Sequence, residues 1–225
     1  MEGSNKGFSR KAAGKPGIRN KGQQTRQKII DVARNILIEE GYENFILRRV
    51  ATEANIKPGN LQYYFSSKKE LLSAVLLSEI SRYKDVYAQF ADRGQGAREV
   101  IDAVVDFLIE EIRLKSTTNI WYVVWAQSAH DEDLAKVMDE WYLEYMGSLR
   151  DLFKATVPGL SDQRAGHAAS LLTALMDGLT NQIGHGRKRH RLHVKIENSI
   201  KHTLFSLLQD DEVYVRRQSI SYQTT

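Results

Sequence analysis

The chain contains no cysteine in its 225 residues. That absence excludes disulfide bridges, thiol catalysis and cysteine-based zinc sites, and it fits a reducing compartment. Proline is scarce too, with three occurrences. Long apolar runs are missing: the longest, Ile120 to Ala126, is far too short to span a bilayer, and the N-terminus lacks the apolar core of a signal peptide. A cytoplasmic protein with no membrane contact is expected. Strand signals are almost absent and no internal repeat is found. The sequence also carries no glycine-rich phosphate loop, no nucleophile elbow, no HExxH pair and no suggested meeting of serine, histidine and carboxylate. Neither catalysis nor a cofactor is expected.

What the chain does have is concentrated in residues 47–68, LRRVATEANIKPGNLQYYFSSK. Leu47, Val50, Ala51 and Ala54 recur at the three- and four-residue spacing of one apolar helical face, so a helix of about two turns is predicted there. Pro58 and Gly59 follow at a short connection, and proline suits the first turn of a new helix because its missing N–H would have no partner. In that second helix Leu61 and Phe65 share a face, leaving Asn60, Gln62, Tyr63 and Tyr64 on the remaining surface. That surface is polar, aromatic and uncharged. Gln and Asn can pair with an adenine edge, Tyr hydroxyls reach phosphate oxygens, and Gly59 lets the backbone approach a duplex closely. A helix-turn-helix that reads double-stranded DNA is the expectation, against a plain helical hairpin. Ser67 to Glu70 has capping-box spacing and opens a third helix. Lys68 and Lys69 in its first turn oppose the helix dipole, which suggests a nearby anion.

This stretch resembles the TetR family of bacterial transcriptional regulators. The matching residues are Thr25-Arg26 opening a helix, Gly41-Tyr42 closing it, Arg48-Arg49-Val50-Ala51, Ala54, Gly59, Tyr64-Phe65, and Lys68 with Glu70-Leu71-Leu72. The resemblance implies an all-α homodimer with an N-terminal three-helix DNA-binding head and a larger helical ligand-binding and dimerisation domain. It also implies that Arg48, Lys57, Asn60, Gln62, Tyr63, Tyr64 and Lys68 lie on the DNA face, with Thr25 near a phosphate. Three positions depart from the family's pattern: Ile46 and Lys57 stand where capping hydroxyl residues are usual, and Gln62 replaces a common aromatic.

Net charge is +4 with an isoelectric point near 9.1, and the excess gathers at the N-terminus. Before Thr25 there are Lys6, Arg10, Lys11, Lys15, Arg19 and Lys21 against Glu2 alone, interleaved with glycines. Residues 1–24 are therefore expected to be a flexible basic arm, either following the DNA backbone or entering the minor groove, or merely solubilising the chain. The helix-turn-helix domain is assigned to 25–70, the ligand-binding and dimerisation domain to 71–209, and a tail with a weak Val213-Val215 alternation to 210–225. Helical periodicity predicts helices over about 67–92, around Val100 to Ile112, and over about 118–129, 132–156, 162–184 and 194–209, with a Gly94-Gln95-Gly96 break and a Pro158-Gly159 stop.

Leu171, Leu175, Leu179 and Gly178 on helix 162–184, with Ile196, Ile200 and Leu204 on the last helix, are the candidate dimer surface, although core packing predicts the same stripes. A dimer would read a palindromic operator. Trp121 and Trp125 are four apart on one helix, and Trp141 and Tyr145 are four apart on the next. With Phe107, Met138 and Met176 they are candidates to line an aromatic cavity for a small-molecule effector, against plain core filling. Indole faces attract cations, so an amine or quaternary ammonium is one possible ligand, and residues 121–153 resemble, loosely, the choline-responsive branch of the family. Asp177 in an otherwise apolar run would pair with a cationic ligand, or else hydrogen-bond at a dimer seam or face partial solvent. His190 and His193 in HGRKRHRLH have metal-like spacing but no acidic or sulfur partners nearby, which favours a solvated basic loop. Asp131, Glu132 and Asp133 suit the first turn of the helix they open. The functional expectation is a ligand-released repressor; the alternative is an architectural DNA-binding protein that senses nothing.

Overall fold

The computed structural model describes residues 16–92 and 96–209. Among these the chain is all-α: α1 (Pro16–Glu40), α2 (Leu47–Glu53), α3 (Pro58–Tyr64), α4 (Lys68–Ala91), α5 (Ala97–Glu111), α6 (Lys115–Ser128), α7 (Glu132–Thr156), α8 (Asp162–Ile183) and α9 (Ile196–Gln209). The expected tail and most of the arm fall outside the described residues, as do Gly94 and Gln95 of the expected break. Residues 16–24 differ from expectation. They continue α1 instead of belonging to a flexible arm. The apolar stripe Ile29, Ile30, Ala33, Ile36 and Leu37 anchors the helix, and once nucleated it gains a hydrogen bond for each residue added ahead of that stripe. Pro16 at the helix start is compatible with that extension.

Helices α1 to α3 close around a small core. Ile29, Ala33, Leu37, Phe45, Val50, Ala51, Ala54, Leu61 and Phe65 expose at most 1% of their surface there. Helices α2 and α3 start at the expected places although their caps, Ile46 and Lys57, supply no side-chain hydrogen bond. Their connection turns at Asn55, which adopts φ 54°, a left-handed conformation that asparagine tolerates better than most residues. At α4 the Ser67 hydroxyl accepts from Glu70 N, while the Glu70 carboxylate accepts from the backbone and hydroxyl of Ser66. The box is thus shifted by one residue on its return side.

The larger part of the molecule is arranged around α4, α7 and α8. Lys69 near the start of α4 pairs with Asp131 and Asp133 at the start of α7, and Lys84 further along pairs with Glu144. Helices α4 and α7 therefore run side by side away from the head. Lys154 meets Asp162 at the far end, where α8 begins its return. Helix α6 lies against the head: Lys115 pairs with Glu39, and Asn119 Nδ2 donates to Ile38 O at 2.7 Å. No described helix is long and apolar enough to cross a membrane.

Candidate functional site

The short helix α3 has one buried side and one bare side. Leu61 and Phe65 are packed into the head, while Lys57, Gly59, Asn60, Gln62 and Tyr63 are exposed. Tyr63 is 82% exposed, an unusual place for a large ring, and the described residues leave most of it bare. Tyr64 is half-buried and meets Tyr63 edge to face at 5.2 Å. Thr25, Asn60, Tyr63 and Tyr64 line one open cleft of about 580 Å³ with Lys21, Gly22, Gln23 and Arg26 of α1. The extended part of α1, read as arm in the sequence, thus supplies a wall beside the predicted recognition helix. Arg48 is exposed on α2. A Cβ built on Gly59 would meet nothing within 4 Å, so no neighbour among the described residues requires glycine there.

Lys68, expected on the DNA face, has partners within the head. It is half-buried, its ammonium donates to Tyr42 O at 2.9 Å, and it sits 3.5 Å from the centre of the Tyr42 ring. Burial lowers its pKa below the usual lysine value. The carbonyl and the ring face hold the ammonium within the head. Lys69 likewise finds its anions inside the chain, in Asp131 and Asp133. Asp131 also caps α7, accepting from Asp133 N and Leu134 N. The mutual bonding holds both aspartates below the usual carboxylate range and raises Lys69.

Four of the seven candidate pocket residues come together in the body. Trp121, Trp141, Tyr145 and Met176 line a cavity of about 30 Å³ together with Tyr83, Leu108, Glu111, Ile112, Thr117, Thr173, Asp177 and Thr180. Trp141 stacks on Tyr145 at 4.7 Å and meets Trp121 edge to face at 4.1 Å. The other three candidates lie elsewhere. Phe107 packs against Tyr83, Tyr87 and Phe90; Trp125 Nε1 donates to the Tyr142 hydroxyl; and Met138 Sδ accepts from Ser128. These residues share helical faces with the lining residues but do not line the cavity; all three are partly buried and packed against the core.

Two carboxylates reach this aromatic wall. Tyr142 donates to Asp177 Oδ2 at 2.8 Å, and burial raises the Asp177 pKa above the usual carboxylate value. Glu111 is 7% exposed and accepts from Arg82 at 2.5 Å, Thr117 at 3.2 Å and Tyr83 at 3.4 Å. Trp141 Nε1 is buried without a hydrogen-bond partner among the described residues, so a donor also faces this region. The sequence reading missed Glu111 and Tyr83. The available signal was a carboxylate or tyrosine on an otherwise apolar helical stripe, as in Glu79, Tyr83 and Tyr87, four apart on α4 and all buried.

The candidate dimer residues divide. Leu179, Ile200 and Leu204 are buried within the chain and so unavailable to a second copy. They lie on the stripes that pack α8 and α9 against their own neighbours. Leu171 is 38% exposed, and Leu175, Gly178 and Ile196 are half-buried. The accessible side of α8 carries Gly166, Ser170, Ala174 and Gly178 at four-residue spacing, and a Cβ on Gly178 would meet nothing within 4 Å. In the α8–α9 connection His190 Nδ1 accepts from Leu192 N and His193 Nε2 contacts Gln182; the two rings lie 6.4 Å apart, and no third ligand joins them among the described residues.

Comparison with known proteins follows the same division into head and body. Residues 29–75 match the family profile of the bacterial regulatory proteins of the tetR family, and residues 97–195 match the C-terminal profile of BetI-type transcriptional repressors. The chain belongs to the TetR family. It is 26% identical over 156 residues to the HTH-type transcriptional regulator BetI of Stenotrophomonas maltophilia, covering 68% of this chain and 78% of that protein. Among solved structures, Salmonella enterica GusR superposes with a TM-score of 0.64 at 20% identity, over 83% of this chain and 96% of that one. A protein assigned as a transcriptional regulator in Saccharomonospora viridis, solved in complex with choline, gives a TM-score of 0.59 at 20% identity, over 84% and 97% of the two chains. At that identity the structural likenesses speak for the TetR fold alone. The chain is a regulator by family and not an enzyme.

Proposed function

We propose that this TetR-family protein is a cytoplasmic repressor that binds a palindromic operator as a homodimer and is released by a small organic cation. The observation that carries the DNA-binding part is α3, which leaves Asn60, Gln62 and Tyr63 in solvent beside the cleft it shares with α1. Amides there suit base edges in a major groove, and Tyr63, Tyr64, Thr25, Arg48 and Lys57 suit phosphates. Dimerisation is assigned to the accessible side of α8, where the small residues at four-residue spacing form a ridge of the kind that lets two helices pack closely, with Leu171 and Leu175 beside it.

The effector assignment rests on chemistry. A cavity walled by two indoles and two phenols with carboxylates at Glu111 and Asp177 favours a cation through ring faces and through charge. The choline complex of the Saccharomonospora viridis neighbour is in keeping with that class. At about 30 Å³ the cavity has room for roughly one water molecule, so a quaternary ammonium enters only if the surrounding helices move. Binding energy is then spent on an expanded body, and the two heads of the dimer change their spacing. The test is selection of bound duplexes from a random pool at near-physiological salt. One enriched palindrome supports the reading; indifference to sequence would favour an architectural protein instead.

A further inference from the structure

Four charged side chains of alternating sign join the cavity wall to the head. Glu111 at the end of α5 accepts from Arg82 Nη2 at 2.5 Å. Arg82 on α4 also contacts Glu79 Oε2 at 3.4 Å, and the other oxygen of Glu79 accepts from Arg34 of α1 at 2.5 Å. Glu79 and Glu111 are 6% and 7% exposed, so their charges are largely removed from water. Two carboxylates and two guanidiniums leave the string neutral as a whole, and each inner member is shared between two neighbours.

Sharing makes the string responsive. Breaking one end of a buried ionic network leaves the next charge short of a partner, and that cost is met by rearrangement. A cation arriving beside Glu111 competes with Arg82 for the same carboxylate. Arg82 then turns to Glu79, its other acidic neighbour. Glu79 in turn holds Arg34 less firmly, and Arg34 lies one residue from Ala33, which is fully buried in the head core. The displaced element is α1, whose other end forms the wall beside α3.

We infer that Arg34, Glu79, Arg82 and Glu111 form an electrostatic relay that transmits the state of the cavity to the DNA-binding head. This rests on the regulator reading above and adds the residues that do the coupling. Arg34 and Glu79 touch neither the cavity nor the cleft beside α3, so they are positioning residues. Their effect should show in coupling and not in either binding step alone.

The test does not require the natural effector. Glu111→Gln removes the charge that a bound cation would neutralise and keeps the side chain's shape. Operator affinity of the full chain is measured on the duplex enriched by selection, in four proteins: wild type, Glu111→Gln, Arg34→Met and the double variant. Helical circular dichroism melts report folding. Glu111→Gln is expected to weaken operator binding by about fivefold or more, the lower end of usual allosteric factors. In the Arg34→Met background the same change should have less than about twofold effect, since coupled sites are not additive. Glu79→Gln is a second background with the same expected outcome. The relay is overturned if Glu111→Gln leaves operator affinity unchanged, or weakens it equally in all backgrounds. Failure of the regulator reading would look different, because the wild type would then enrich no duplex at all, and the relay would fall with it.

Discussion

The head and the body of this protein use aromatic side chains in opposite ways. In the head, Tyr63 stands 82% exposed at the end of a seven-residue helix, its ring edge to face with Tyr64. In the body, Tyr83, Tyr87, Tyr145, Trp121 and Trp141 are each at least nine-tenths buried and face one another across α4, α6 and α7. A ring that exposed buries little surface among the described residues, which suits the DNA contact proposed for it. Buried rings are explained by core packing, and the carboxylates among them are what the proposed cation would add to that explanation. The difference separates residues whose loss should change binding only from residues whose loss should change both stability and binding.

The largest effect is expected in the body. Trp141→Ala should cost about 3–5 kcal/mol of stability in urea unfolding, the usual range for emptying a buried tryptophan site. Tyr63→Ala should leave stability within about 0.5 kcal/mol and weaken operator binding by about 1–3 kcal/mol, read by fluorescence anisotropy. A stability loss in Tyr63→Ala matching that of Trp141→Ala would erase the contrast.

Asp177 sharpens the comparison through pH. Burial raises its pKa, so its ionised form is the one disfavoured in the folded state. Its contribution to stability is present in full below the ordinary carboxylate value and is lost as pH rises through the raised one. Asp177→Asn removes that loss and can still accept from Tyr142. Thermal melts should show the variant more stable than wild type at neutral pH, with the advantage vanishing in acid, while binding of a quaternary ammonium is weakened. Gain of stability with loss of ligand marks a functional group held at a structural cost. The smallest effect belongs to Gly59→Ala. With open space at its Cβ and a helical setting, alanine should add about 0.5–1 kcal/mol of stability, yet operator affinity should fall if the DNA backbone passes close by.

How legible each feature was in the sequence follows from how local its cause is. The positions of α2, α3 and α4 depend on apolar spacing, on Pro58 and on the Ser67 cap, all within a few residues of one another, and sequence reasoning placed them well. The start of α1 did not follow from composition, because the stripe from Ile29 to Leu37 lets the helix propagate ahead of itself. Lys68 was read by its neighbours in sequence, whereas its partner Tyr42 lies 26 residues away. The cavity was half legible. Trp121, Trp141, Tyr145 and Met176 reach it, but Glu111 and Tyr83 come from other helices and no spacing rule links them. For Leu179, Ile200 and Leu204, intramolecular and intermolecular burial predict the same residue types, and only the packed fold shows which side of α8 and α9 remains open.

The most direct test of the account is to titrate choline into the complex of the intact protein with its selected operator duplex, following duplex anisotropy and tryptophan fluorescence in the same sample. The account predicts that anisotropy falls as the tryptophan signal changes, with one midpoint for both. A tryptophan change that saturates while the operator stays bound, or no response of either signal to any choline concentration, would contradict release by an organic cation bound among Trp121, Trp141 and Asp177.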